Sequence, residues 1–367
     1  MRYRSLRPGA LALSTAWVAA CGDSSTEPTQ PAEPTPSGTE LAVASNSWIT
    51  RANLPTARHS LALATVTNAA GESVVYAIGG ATDVYPITVL RKVTAYNVAT
   101  NTWTDRRPLP VPLAWSNGAG VINGKIYISG GFSQTGDAPP TRALYVYDPG
   151  TNTWTRKRDL PAIGGPSHDW TVGSSGVTGV IENKLYVVTL CSTLYYSEYG
   201  CVGDLTGPRL FRYNPATDRW VTLAPPFPRA TTGGHEVGTL AGGVIGGRFY
   251  VMGGEFGNNG RFSVYDPATN RWTPRTPLEL ARDGVATAVL GNELYVMGGT
   301  RIRNNLFEIL DITIVYDPVT DLWTRRASLP SPRAGMAGTT VLRGGKPRIE
   351  VVGSWGPVPR NNLQYIP

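Results

Sequence analysis

A tyrosine followed seven positions later by a tryptophan recurs five times along this chain: Tyr96 and Trp103, Tyr147 and Trp154, Tyr213 and Trp220, Tyr265 and Trp272, Tyr316 and Trp323. Between the two aromatics lies a segment of the form Asp-Pro-X-Thr-Asn/Asp, as in residues 266–270, with Asn97 or Asn214 replacing the Asp in two copies. Asp or Asn accepts a hydrogen bond from the backbone just ahead and Pro presets φ, so each segment reads as a tight turn between two strands. Upstream of each Tyr an apolar run closes in a glycine pair: Gly79 and Gly80, Gly130 and Gly131, Gly253 and Gly254, Gly298 and Gly299. The third copy has Thr189 and Leu190 there, and a sixth has Gly353 and Ser354. No long stretch carries helical apolar periodicity, and 42 Gly and 30 Pro supply many turns, so an all-β fold is expected.

Di-glycine, Tyr and Trp recurring in register resemble the kelch repeat, whose unit of about 50 residues forms one four-stranded propeller blade. The resemblance covers residues 46–367. The repeat tryptophans from Trp48 to Trp323 are 55, 51, 66, 52 and 51 residues apart, so the third unit carries an insertion. Tyr365 has no Trp after it and Trp48 has no Tyr before it. Together they complete one blade, in which the strand around Trp48 joins strands from residues 333–366. The expectation is a six-bladed kelch-type β-propeller closed by its N-terminal strand, which removes exposed strand edges.

Ahead of the repeats, a basic start with Arg2, Arg4 and Arg7 precedes an apolar stretch from Pro8 to Ala20, the layout of a secretory signal and too short to span a bilayer. Val18, Ala19, Ala20 and Cys21 resemble the lipobox of bacterial lipoproteins, which implies lipidation at Cys21 after removal of residues 1–20. Residues 21–45, rich in Ser, Thr, Pro and Glu, read as a disordered tether. In the Gram-negative sorting rule for such lipoproteins, Gly22 after the Cys leans toward the outer membrane. The chain is therefore expected to be an exported monomer, lipid-anchored to the cell envelope and touching the membrane through that anchor alone. In an oxidising compartment Cys191 and Cys201 are placed to pair as a disulfide. The formal charge of +7 falls to +4 without the leader, 30 basic against 26 acidic residues, and no basic stripe remains, which argues against nucleic acid.

In a four-stranded blade the loops after the second and fourth strands share one face. Here the second-to-third loops are long: Ala81 to Leu90, Phe132 to Arg142, Cys191 to Arg209, Thr300 to Leu310 and Trp355 to Asn362. The fourth-to-first connections open on that same face, where binding is usually seated. They bring Arg58 and His59, Trp115, His168 with Asp169 and Trp170, Arg229 with His235 and Glu236, Arg282 with Asp283, and Arg333 toward one mouth. One reading makes these residues caps and ion pairs between blades. The other makes them a site for a polar ligand, acidic ones included, such as a sugar acid or glycan, or for a protein. Bacterial kelch propellers include a periplasmic N-acetylneuraminate epimerase, a mutarotase, so the resemblance also carries a carbohydrate-enzyme reading with Glu236, Asp283, His59 and His235 as proton-transfer groups. No catalytic motif stands outside the repeats, so a binding module is the primary expectation. The cysteines do not suit the copper site of galactose oxidase, and no zinc, nucleotide or serine-nucleophile motif is visible; no cofactor or metal is expected.

Overall fold

The computed structural model describes residues 45–82, 87–133, 141–162, 174–190, 208–227, 239–253, 260–303, 306–355 and 360–367. Most of the leader and tether, and Cys21, Cys191 and Cys201, lie outside them. The described residues hold strands and no helix. Strand β1 (Ser47–Arg51) comes first. The first blade is β2 (Ala62–Thr67), β3 (Ser73–Ile78), β4 (Val93–Asn97) and β5 (Thr102–Asp105). The second is β6 (Ala119–Ile122), β7 (Lys125–Ser129), β8 (Leu144–Asp148) and β9 (Thr153–Lys157). The third is β10 (Ser174–Ile181), β11 (Lys184–Leu190), β12 (Arg209–Asn214) and β13 (Arg219–Leu223). The fourth is β14 (Leu240–Ile245), β15 (Arg248–Gly253), β16 (Phe262–Asp266) and β17 (Arg271–Pro274). The fifth pairs β18 (Ala286–Leu290) and β19 (Glu293–Met297) with β22 (Thr313–Asp317) and β23 (Leu322–Arg326). Its long loop folds into a separate hairpin, β20 (Thr300–Arg303) and β21 (Leu306–Ile309), where the sequence suggested only a loop. The sixth blade is β24 (Ala337–Arg343), β25 (Lys346–Val352), β26 (Asn362–Ile366) and, from the other end of the chain, β1.

All blade pairings are antiparallel, and β1 runs against β26 with Trp48 opposite Tyr365. The six inner strands β2, β6, β10, β14, β18 and β24 each contact both neighbours, and β24 meets β2, so the ring closes as expected. Burial follows strand position. β3 is buried along its whole length because it is covered on both faces, whereas β5 exposes all but its Trp. The core therefore lies between blades, in six apolar clusters that each join two neighbours.

The Tyr-to-Trp segment does more than turn the chain. The Asp or Asn that opens it accepts from the backbone two residues on, as Asp266 Oδ1 does from Ala268 at 2.9 Å. The Asn or Asp that ends it sits at positive φ and accepts from the Tyr hydroxyl of its own blade: Tyr96 to Asn101, Tyr147 to Asn152, Tyr213 to Asp218, Tyr265 to Asn270 and Tyr316 to Asp321, at 2.5–2.9 Å. The same oxygen takes a backbone N–H from the preceding blade's exit: Ala52, Arg107, Arg158, Ala224 and Thr276. The carbonyl of that exit residue accepts the Trp indole N–H at 2.8–3.0 Å. The sixth clamp is assembled from both chain ends: Asn46 accepts from Tyr365 and Ala327, and Trp48 donates to the Ala327 carbonyl.

In two clamps the acceptor is a carboxylate. The Tyr213 hydroxyl and the Arg158 N–H hold Asp218 below the usual range. At Asp321, burial pulls upward, but the bonds from Tyr316 and Thr276 prevail and lower it. A depressed carboxylate stabilises the fold above its unfolded value and loses that contribution as pH falls through the folded value. Asp321→Ala is expected to cost about 2 kcal/mol in urea unfolding, since it orphans two donors and puts a Cβ residue with no compensating bond at positive φ. Asp321→Asn should stay within about 0.5 kcal/mol at pH 7, because four blades already use Asn there. Equal losses in the two variants would refute the clamp.

Candidate functional site

The mouth on the long-loop face is built by the fourth-to-first connections. Four of them are pinned at a buried Leu whose N–H donates to a carbonyl just ahead of the third strand: Leu54 to Arg360, Leu109 to Arg91, Leu160 to Arg142 and Leu329 to Asp311, at 2.7–2.9 Å. Three of those partners return the bond through their side chains, Arg91 to the Leu109 carbonyl, Arg142 to Leu160 and Arg360 to Leu54 and Pro55. The glycine pair lies between two connections. Gly80 donates to the Leu113 carbonyl at 2.8 Å and Gly299 to that of Arg333 at 2.9 Å. A Cβ on Gly79 would stand 2.0 Å from the Leu113 oxygen, which is why the pair cannot carry side chains.

Toward the channel, the connections share a residue in the left-handed region: Ser60 (φ 52°), Trp115 (φ 49°), Gly284 (φ 62°) and Gly335 (φ 67°). These residues form a belt of backbone bonds from blade to blade. Trp115 N–H donates to Ser60, Ser60 to Gly335 and Gly335 to Gly284, at 2.8–3.0 Å. Gly284 N–H in turn meets Thr239 Oγ1 at 2.9 Å and Asp283 Oδ1 at 2.7 Å. The residue just before each belt position bridges to the residue after the second strand: His59 to Ala81, Ala114 to Phe132, Asp283 to Thr300 and Ala334 to Trp355. The long loops and the connections therefore do meet on one face.

The three described arginines proposed as ligand donors point away from the mouth. Arg58 is buried and donates to the Ala77 carbonyl at 3.1 Å and to Thr94 Oγ1 at 2.8 Å, both within the first blade. Arg282 is buried against the Ile312 carbonyl, and Arg333 against the Ser331 carbonyl and hydroxyl. Burial lowers each guanidinium to about 10. These side chains brace the connections, and they do so through main-chain oxygens and hydroxyls rather than the ion pairs that the polar cluster suggested. Truncating Arg282 and Arg333 would therefore report on the fold more than on a ligand.

His59, Trp115 and Asp283 sit beside the belt, His59 buried and the other two half-buried. The His59 ring lies edge-on to Trp115 at 5.5 Å, with Nδ1 2.9 Å from Ser60 Oγ, and Trp115 lies edge-on to Phe132 at 6.2 Å. Asp283 Oδ1 accepts from the Thr239 N–H at 2.6 Å, from the Thr239 hydroxyl and from Gly284. His168, Asp169, Trp170, Arg229, His235 and Glu236 lie outside the described residues. Sequence reasoning missed Phe132, Ser60 and Thr239 as mouth residues. For Phe132 the signal was available, since it directly follows a glycine pair, the position that bridges to a connection in four blades. Among the described residues no cluster of three or more His, Cys, Asp or Glu could hold a metal ion.

A kelch motif model matches residues 116–161, 240–279 and 281–330. The chain is 30% identical over 251 residues to kelch-like protein terF of Aspergillus terreus, an alignment covering 66% of this chain and 50% of that protein. It is 28% identical over 240 residues to kelch-like protein 15 of Danio rerio, covering 59% of this chain and 35% of that one. The chain thus spans half or less of the length of these relatives. The solved structure of YjhT matches with a TM-score of 0.60 at 15% identity, over 84% of this chain and 94% of that one, a likeness of fold. Repeated motif, blade count and fold likeness agree, and the chain is a kelch-repeat β-propeller.

Proposed function

We propose that this propeller is a binding module held at the cell envelope through lipid on Cys21, and that it takes a glycan or protein ligand at the mouth of its long-loop face. The observation that carries this reading is Trp115, a bulky aromatic in a left-handed backbone conformation at the rim of the channel. Non-glycine outliers of this kind persist where the surroundings hold them, and they cluster at binding sites. Aromatic faces beside a few fixed polar groups are the usual lining of a ligand site. The kelch-like relatives fit a protein ligand equally well, and the support for a mouth outside the cytoplasm is the export signal read from residues 1–20.

A second reading, interconversion of sugar anomers, rests on the Asp283 carboxylate at the rim. Oδ1 already accepts three hydrogen bonds and Oδ2 remains for a substrate hydroxyl. One experiment separates the two readings. Glycan-array binding is followed by NMR exchange spectroscopy on the bound sugar. Saturable binding without faster anomer exchange supports the module, whereas exchange accelerated more than about tenfold and lost in Asp283→Asn would replace it with the enzyme.

A further inference from the structure

Among the described belt positions, the fifth and sixth blades use Gly284 and Gly335, and the first uses Ser60. Trp115 alone places a large side chain where a Cβ crowds its own backbone, so the reason for its presence lies in where the ring goes. That ring is the centre of an arc. Phe132 lies on one side of it and His59 on the other, and the arc continues to Trp355, which is 40% exposed. A Cβ built on Gly335 would lie 3.4 Å from the His59 Cβ and 3.3 Å from the Trp355 Cβ, so both side chains pack against Gly335. Phe132, Trp115 and Trp355 thus flank the buried His59 across the second, first and sixth blades.

Among the described residues, the arginines of the connections and of the third-strand starts are engaged elsewhere. Arg58, Arg282 and Arg333 are buried, and Arg91, Arg142 and Arg360 donate to carbonyls of the connections. Among the described residues, the polar groups beside the arc include the Ser60 hydroxyl and, further round the belt, Asp283 with Thr300. The geometry points to an uncharged sugar ring as the ligand, its C–H face laid on Trp115 and Trp355 and its hydroxyls donating to neutral oxygens and to the Asp283 carboxylate. Aromatic rings supply contact area at low entropic cost, and the acceptors fix orientation. A sugar acid would find these arginines turned away and the charge of Asp283 opposed to its own. This inference rests on the mouth being the binding site, and it replaces the acidic ligand expected from the row of arginines.

The test uses the mature chain with maltohexaose, cellohexaose, mannohexaose and trimeric N-acetylneuraminate, followed by calorimetry and tryptophan fluorescence. At least one neutral oligosaccharide should bind and perturb the fluorescence. Trp115→Gly should weaken that binding at least about tenfold, and Trp355→Ala about fivefold or more, as for aromatic anchors elsewhere. Both variants should melt within about 3 °C of the parent, because glycine is what the fifth and sixth blades carry at the Trp115 position and Trp355 is partly exposed. Binding of the acidic trimer alone, or of a protein ligand alone, would overturn the ligand class and leave the binding module standing. Retention of neutral-sugar affinity within about twofold in Trp115→Gly would overturn the arc. The absence of any saturable ligand would remove both.

Discussion

Deletion of residues 46–52 is expected to lower the melting temperature by at least about 10 °C, or to abolish a cooperative transition, measured by calorimetry at neutral pH. The segment supplies β1, paired residue by residue with β26 from Ser47 opposite Ile366 to Arg51 opposite Asn362. It also contributes to two interblade clamps. Asn46 and Trp48 hold Ala327 of the fifth blade, while Ala52 receives Asn101 and Trp103 of the first. Each lost hydrogen bond removes about 0.5–1.5 kcal/mol net, and the deletion removes a strand ladder as well as four clamp bonds and the acceptor of the Tyr365 hydroxyl. The total is on the order of 5 kcal/mol or more, comparable with the whole margin of a typical domain. Trp48→Phe, which removes one indole bond and keeps the ring, should cost only about 1 kcal/mol. A deletion variant that melts like the parent would show that the ring is held shut by something other than its N-terminal strand.

The sequence carried the architecture because each blade repeats the same physical solution. Tyr and Trp seven apart are cross-strand partners, and the glycine pairs mark where two connections crowd the backbone. The unmatched Trp48 and Tyr365 expose the closure because the other five repeat tryptophans each have their Tyr. What escaped notice was the second use of residues already in view. Asn101 and its four equivalents read as turn residues, yet their side chains carry the clamp between blades, with a partner fixed by tertiary structure 45–60 residues away. Arg58, Arg282 and Arg333 share the letters of a ligand-binding cluster. Their direction, into the blade, follows from the left-handed residue two positions on, whose conformation is invisible at Ser60 and Trp115 because neither is a glycine. The hairpin of β20 and β21 was hidden for a different reason: its four-residue strands are too short for alternation to stand out from a loop.

The closing blade also buries a carboxyl group whose titration should be visible in the stability of the whole protein. Glu350 on β25 is fully buried, and burial pushes it up to about 8 although Gln364 donates to its Oε1 and Arg51 and Arg343 pull the other way. Its surroundings come from four elements: Gln364 on β26, Arg51 on β1, Arg343 on β24, and Tyr96 of the first blade. Arg51 reaches Gln364 Oε1 at 2.7 Å, so the three side chains form one row across the closure, while Glu350 Oε2 has no partner. A carboxyl raised in the folded state binds its proton more tightly than the unfolded chain does. Stability is therefore greatest below the unfolded value near 4.5 and declines as pH rises toward about 8. The expected decline from this group between pH 5 and pH 9 is about 2–4 kcal/mol, discounted from the full shift for relaxation around the ionised form. Glu350→Gln should match the parent at pH 5, exceed it at pH 9 and flatten that part of the curve in urea unfolding. The row also argues for register: Gln364 faces Glu350 on one side and Ile49 on the other, and a slip of one residue would leave the carboxyl facing Leu363 or Tyr365. Parallel pH profiles for parent and Glu350→Gln would mean that Glu350 is ionised in the folded protein and that the row is held as an ion pair with Arg51 or Arg343.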